Sequence, residues 1–426
     1  MPSVRAATIP NLPPIVRRFV QYVQIDTQSD PDAETTPSTP QQLDLSRLLH
    51  TQLVELGVDA EIDEHGYVYA TLPSTLGADA GVPTVGLVAH VDTSPDEPGG
   101  PVEPFIHTDY QGDVIALPGD ASITLDPTRQ PALTGHVGHD IITSDGTTLL
   151  GSDDKAGVAV LMQLAEDLLD DTSPRPELRI LFTVDEEIGR GVDHLDYERF
   201  GADVAYTVDG GGVGGIYAET FNAAEAVVTV EGVTVHPGYA KGVMVNAVRV
   251  LAELIAALPA EESPAATEGR EGYFYPHTIT QGDTGCAAVR ILLRDFEDEG
   301  MARRKALVRR LADEAAERYG TTVRVEIDDS YRNMLRYIEA SDPRTVAFAE
   351  AACRTIGIEP ELRLVRGGTD GARLSEAGIP TPNLFTGGHD FHSRFEWNTV
   401  QNLQMSLDFV KALVRHWAEH GTGATS

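Results

Sequence analysis

Residues 151–189 read GSDDKAGVAVLMQLAEDLLDDTSPRPELRILFTVDEEIG. Within this stretch Val158, Leu161, Met162, Ala165, Leu168 and Leu169 recur at i, i+3, i+4 and i+7, the spacing of a helix with one buried face. Leu178 to Val184 is a continuously apolar run instead, as expected of a strand covered on both faces. Similar short runs end at Leu72, at His90 and at Val208. A buried helix set between such strands specifies an α/β domain.

Working outward, Ile15, Val16, Phe19, Val20 and Val23 follow two prolines at helical spacing, and Leu45, Leu48, Leu49, Leu53 and Leu56 predict a second helix ending at Gly57. Residues 26–42 and 92–101 are rich in Ser, Thr, Pro and acids and read as surface loops. After about Phe221 the texture changes. Strands at 226–230, 288–294 and 322–327 alternate with helices at 246–258 and 301–319, the pattern of a small α+β module. The larger domain resumes near Asp342-Pro343 and closes with a helix from Val400 to Trp417. The expected division is therefore 1–221 and 331–426 for the larger domain, with 222–330 inserted.

A chain of 426 residues with 41% hydrophobic content suits two domains. Its 32 basic and 66 acidic residues give a formal charge of −34, which repels phosphate backbones and anionic lipid and argues against nucleic-acid or membrane partners. No basic segment leads into an apolar stretch at the start, and no apolar run reaches about 18 residues. A cytoplasmic location is the expectation. Cys286 and Cys353 form no CxxC pair, so neither a disulfide framework nor a thiolate metal site is indicated. With acids so common, only a carboxylate fixed in a motif is informative.

Ligands in α/β proteins gather at strand ends. His90-Val91-Asp92 ends one strand, either as a metal ligand with Asp92 orienting the ring or as a hydrogen-bonded pair. Asp153 and Asp154 are adjacent carboxylates in a glycine-flanked turn; a cation would absorb their repulsion, and a solvent-facing helix cap beside Lys155 is the alternative. Asp185-Glu186-Glu187 ends a third strand, with Glu187 suited to hold a metal while Glu186 acts as a general base. Asp209 precedes three glycines and reads as a ligand or a simple turn. Far downstream, PTPNLF leads into TGGHDFH and brings in His389 and His392. His90, Asp209 and a bridging Asp on one side, with Glu187, His392 and the same Asp on the other, meet the ligand count of two zinc ions. Manganese or cobalt is chemically acceptable in the same donors.

The motifs HVDT, TTLLGSDDKAG, FTVDEEIGRG, YTVDGGGVG, VHPGYAKGVMVNA, LLRDF, RGGTDGA and NLFTGGHDFH, in this order and over nearly the whole chain, resemble the peptidase T family. That family belongs to a superfamily of two-zinc metallopeptidases with carboxypeptidases, dipeptidases, aminoacylases and succinyl-diaminopimelate desuccinylase. The resemblance implies a zinc-peptidase-like α/β/α catalytic domain with an inserted α+β lid, two Zn2+ per subunit, and hydrolysis of the N-terminal bond of short peptides, tripeptides above all. It makes Asp153 the bridging ligand, joined to Asp154 by a cis peptide bond. It assigns His90 and Asp209 to one zinc, Glu187 and His392 to the other, Asp92 as orienter and Glu186 as base. His389 replaces the family's usual aromatic and leaves a second histidine donor open, while Glu396 fits the family spacing. By the same resemblance His236 stabilises the oxyanion, Arg294 and Arg366 clamp a substrate carboxylate, Asn333 contacts a peptide terminus, and a homodimer forms through the lid. A dipeptidase or an N-acyl amino acid deacylase would use the same metal chemistry, but the long VHPGYAKGVMVNA and RGGTDGARLS stretches favour the tripeptidase branch. A non-catalytic relative would have lost the base or a ligand, and none is missing.

Overall fold

The computed structural model describes residues 3–77, 80–282 and 285–422. The chain forms two compact units: Met1–Ala218, Arg336–Arg363 and Thr369–Ser426 make the larger, and Glu219–Leu335 with Leu364–Gly368 the smaller. The inserted module thus takes in one segment that the sequence expectation left with the larger domain. The reason is local: Phe221 N donates to Val365 O at 3.2 Å, and Arg366 bonds to Thr267, Gly269 and Glu271.

An eight-stranded sheet runs in the order Glu361–Val365, Gly215–Thr220, Asn383–Phe385, Val204–Gly210, Val85–His90, Leu178–Thr183, Val68–Leu72, Asp59–Ile62. The four strands from Asn383–Phe385 to Leu178–Thr183 are mutually parallel, and Gly215–Thr220, Val68–Leu72 and Asp59–Ile62 join antiparallel. All six residues of Val85–His90 are buried, so both faces of the sheet are covered at its centre. The helix Ser152–Leu169 packs on this strand, and Pro14–Val23 and Val400–His420 pack on that helix. One continuous hydrophobic core joins them.

The smaller unit is a four-stranded antiparallel sheet ordered Tyr273–Gln281, Ala287–Asp295, Asn222–Val230, Val323–Tyr331. Burial alternates along Ala287–Asp295 because the helices Ala247–Ala256 and Asp298–Tyr319 cover one face.

A third sheet, ordered Ser3–Arg5, Phe105–His107, Ile141–Thr143, Trp397–Thr399, has no counterpart in the sequence reading, because strands of three residues carry no periodic signal. The loops at 26–42 and 92–101 are also less superficial than expected. Thr27, Ser29, Ser38, Asp92, Thr93 and Ser94 are buried in or beside them. Among the described residues no helix is long and apolar enough to cross a membrane.

Candidate metal centre

Four neighbouring parallel strands deliver one candidate each from their carboxyl ends: His392, Asp209, His90 and Glu187, in the order of the sheet. His90 is the last residue of its strand. Asp209 falls where the pairing of Val204–Gly210 with Asn383–Phe385 shifts register, and a bulge of this kind re-aims a side chain. Asp185, at φ 58°, starts the turn that carries Glu186 and Glu187. Its own carboxylate turns away to accept from Ser38 N at 2.7 Å and Gln42 Nε2 at 2.6 Å, which separates its role from those of the two glutamates. His392 adopts φ 57°, a left-handed conformation that costs a non-glycine residue about 1 kcal/mol and is common at functional sites.

Asp153 stands between the two histidines. Its Oδ1 lies 3.0 Å from His90 Nε2, and its Oδ2 lies 3.3 Å from His392 Nε2. Asp209 Oδ1 is 3.5 Å from the first imidazole nitrogen, and Glu187 Oε2 is 2.9 Å from the second. Two donor triads result, His90–Asp153–Asp209 and Asp153–Glu187–His392, each with its donor atoms within 4.8 Å of one another.

The Asp153–Asp154 peptide bond is cis. Asp154 is buried and points away, accepting from His90 N at 3.2 Å and Gly157 N at 3.1 Å. Gly157 is required there, because a Cβ would stand 1.9 Å from Val208 O. The adjacent Lys155 is no surface cation: it is fully buried, donates to Ile25 O at 2.7 Å, and is pushed down to about 8 by burial.

Buried acids outside the two donor triads hold the frame. Gly151, at the start of the helix Ser152–Leu169, has no side chain to cap it. Glu396 does so from across the fold, accepting from Leu150 N and Gly151 N at 2.8 Å and Asp153 N at 3.0 Å. Asp92 does more than orient a ring. Its oxygens accept from Glu186 N at 3.0 Å and Glu187 N at 3.1 Å while Oδ1 lies 3.3 Å from His90 Nδ1. Asp370 accepts from Thr183 Oγ1 at 2.7 Å.

The electrostatics show a deficit of positive charge. Burial, then the charge of Asp153, pushes Asp209 up to about 7 and Glu187 up to about 8. Glu186 is held well above the ordinary carboxylate range by burial, with Asp209, Asp370 and Glu187 adding to it. Burial alone would lower both imidazoles, yet the surrounding acids hold His90 and His392 well above their usual value. Glu187 Oε1 is buried without a hydrogen-bond partner. A crowd of carboxylates and imidazoles with an orphaned acceptor fits a pair of divalent cations, and the absence of thiolate suits zinc, manganese or cobalt.

His389 is not part of this arrangement. Its ring stacks on Trp397 at 4.2 Å and meets His136 edge-on at 5.2 Å, and burial pushes it down to about 3.

The remaining sequence candidates belong to the smaller unit. His236 is exposed, and its Nδ1 accepts from Gly238 N at 3.1 Å. Arg294 Nη1 donates to Leu293 O at 3.0 Å beside the Tyr331 ring. Asn333 is buried, donating to Glu219 Oε1 at 3.0 Å and Phe296 O at 3.2 Å and accepting from Leu335 N at 3.0 Å. Arg366 donates to Gly269 O, Glu271 O and Thr267 Oγ1 at 2.8–3.0 Å and lies over Phe221 and Tyr273. Asn333 and Arg366 are thus both hydrogen-bonded within the smaller unit, Asn333 to Glu219 and Phe296 and Arg366 to the 267–271 segment.

Residues 146–416 match the model of peptidase family M20/M25/M40. The chain is 44% identical over 412 residues to peptidase T of Desulfitobacterium hafniense strain Y51, covering 95% of this chain and 98% of that one. It is 44% identical over 410 residues to peptidase T of Bacillus subtilis strain 168, with the same coverage. The crystal structure of aminopeptidase PepT from Bacillus cereus ATCC 10987 superposes with a TM-score of 0.72 at 26% identity, over 95% of this chain and 98% of that chain. A tripeptidase from Staphylococcus aureus Mu50 shares the fold at a TM-score of 0.74 and 23% identity, over 96% and 98%. With a family model covering more than half its length and curated relatives matched end to end, the chain belongs to peptidase family M20/M25/M40, alongside the peptidase T proteins.

Proposed function

We propose that this chain is a two-zinc aminopeptidase that removes the N-terminal residue of tripeptides. One observation carries the reading: the two oxygens of Asp153 face the Nε2 atoms of two different imidazoles, each with a further carboxylate beside it. His90, Asp153 and Asp209 would hold one zinc ion, and Asp153, Glu187 and His392 the other. When bound, such a pair lowers the pKa of a water shared between the ions and polarises the scissile carbonyl.

Glu186 takes the proton from the attacking water and returns it to the leaving amine. Burial and the neighbouring acids Asp209, Asp370 and Glu187 raise its proton affinity, as a carboxylate that accepts a proton requires. Asp92 fixes where that base starts, through the bond to the Glu186 amide. The tripeptide substrate is supported by the peptidase T relatives. His236 and Arg294 are the smaller unit's candidates for polarising the carbonyl and pairing with a substrate carboxylate. A cytoplasmic location and a homodimer through the smaller unit belong to the same reading, and constant specific activity on dilution would reject a dimer that shares its sites.

The test compares a tripeptide, a dipeptide and an N-acetyl amino acid, each with and without a chelator. The tripeptide should turn over fastest and chelation should stop it; preference for either other substrate would move the assignment to a dipeptidase or a deacylase. Glu186→Gln should keep both metals and lower kcat by about 10²- to 10⁴-fold. A fully active variant would remove Glu186 as the base.

A further inference from the structure

We propose that Asp96 is a positioning residue for His392, the outer carboxylate that sets the affinity of the more exposed of the two metal positions. This rests on the two-metal reading above. A ligating imidazole is oriented, and made more basic, when its other nitrogen donates to a carboxylate. For His90 that partner is Asp92, whose backbone O lies 3.0 Å and carboxylate Oδ1 3.3 Å from Nδ1. For His392 it is Asp96, whose Oδ2 lies 3.2 Å from Nδ1 while Nε2 faces Glu187 and Asp153.

The two outer acids come from one segment, four residues apart, immediately after the strand Val85–His90. A single short run of chain thus serves both imidazoles. Asp96 is itself exposed, but the backbone that carries it is anchored. Gln28 Nε2 donates to Ser94 O at 3.0 Å and Glu97 O at 2.6 Å, and Asp96 N donates to Ser94 Oγ at 3.3 Å. Glu97 also accepts from Arg394 Nε at 2.7 Å, which ties the segment to the loop holding His392.

The consequence is selectivity. Asp92 supports both triads, because it orients His90 and holds the amides of Glu186 and Glu187. Asp96 meets the centre at His392, so its loss should change one metal constant and spare the other.

Zinc titration of the metal-free protein against a chromophoric chelator resolves the two uptake steps and does not depend on turnover. Asp96→Ala should weaken one step by about tenfold, the low end for outer partners because the acid is exposed, and leave the other within about a factor of two. Glu97→Gln, which loosens the tether while keeping Asp96, should weaken the His392 step by no more than about two- to threefold, the size of a partly exposed ion pair, and leave the other in place. Unchanged constants in Asp96→Ala, an equal loss in both steps, or the same loss in Glu97→Gln would each overturn the assignment. A wild-type protein that takes up no second ion would instead sink the two-metal reading itself.

Discussion

The two halves of the donor set share their chemistry and differ in how they are held. The His90 side chain is 2% exposed and its partner Asp92 fully buried, whereas His392 is 40% exposed and Asp96 66%. The difference follows from the sheet. His90 ends a six-residue strand paired on both sides, with Val204–Gly210 and Leu178–Thr183, so backbone pairing and neighbours fix it. His392 follows a strand of only three residues, in a loop braced by side chains. A ligand fixed by the sheet is ready before the metal arrives; one fixed by a loop is steadied by what it binds. The His392 position should therefore be the one that exchanges its ion.

The largest effect comes from removing what the halves share. Asp153→Ala should abolish uptake of both ions and lower tripeptide hydrolysis by roughly a thousandfold or more, since the activated water and the polarised carbonyl go together. Metal content measured after gel filtration, with two ions still present, would refute the bridge. Glu187→Gln should be milder, losing one ion while the His90–Asp209 position stays filled. Loss of both ions from that variant would erase the distinction between the halves.

Acidity offers a second handle on the metal-free protein. Asp209, near 7, and Glu187, near 8, stand above the value of about 4 they take in an unfolded chain. Their protonated forms therefore persist in the native state after the unfolded chain has released the proton, and the associated stability is lost as pH rises through 7 and 8. The raised imidazoles of His90 and His392 act in the same direction, contributing below about 6.5 and losing that contribution as pH climbs through their native values. Asp153, held low by both histidines against its burial, acts only in acid, below this window. The Tm of the stripped protein should fall from pH 6 to 9. Metal uptake needs deprotonated donors, so the Tm gained on adding zinc should widen over the same range. A stripped protein that becomes more stable toward pH 9 would contradict this account.

The features that were legible in the sequence share a physical reason. The buried strands and the helix around Val158–Leu169 announce themselves by period and continuity, and the candidate donors sit in short polar stretches that adjoin such runs, His90 and Asp209 directly at their ends. What stayed hidden depends on partners far away in the chain. Glu396 caps the turn of Asp153 from more than 240 residues downstream, and Asp96 meets His392 across 296 residues. In a chain with 66 acids nothing local marks Asp96, and the family spacing that flags Glu396 does not say what it caps. Arg366 shows the same limit from the other side: a motif suggests a carboxylate clamp, and only the folded module shows its Nη1 and Nη2 bonded to the 267–271 segment.

The smallest effect should fall on the brace of the exposed half. Trp397 Nε1 donates to Asp390 Oδ2 at 2.9 Å, and the backbones of His389 and Trp397 exchange hydrogen bonds at 2.9 and 3.1 Å. Trp397→Phe keeps an aromatic ring against His389 and the backbone pair but removes the indole donor. Because Asp390 is exposed and can turn to water, loss of this bond should cost about 1 kcal/mol, that of an ordinary hydrogen bond rather than of one to a buried charge. Part of it should appear as looser placement of His392, weakening one zinc step by about two- to threefold, where 1.4 kcal/mol would give tenfold. The His90 step should not move, because neither residue contacts that side. If both steps weaken equally, the loop and the strand ends form one rigid frame, and the contrast between a sheet-held and a loop-held half fails.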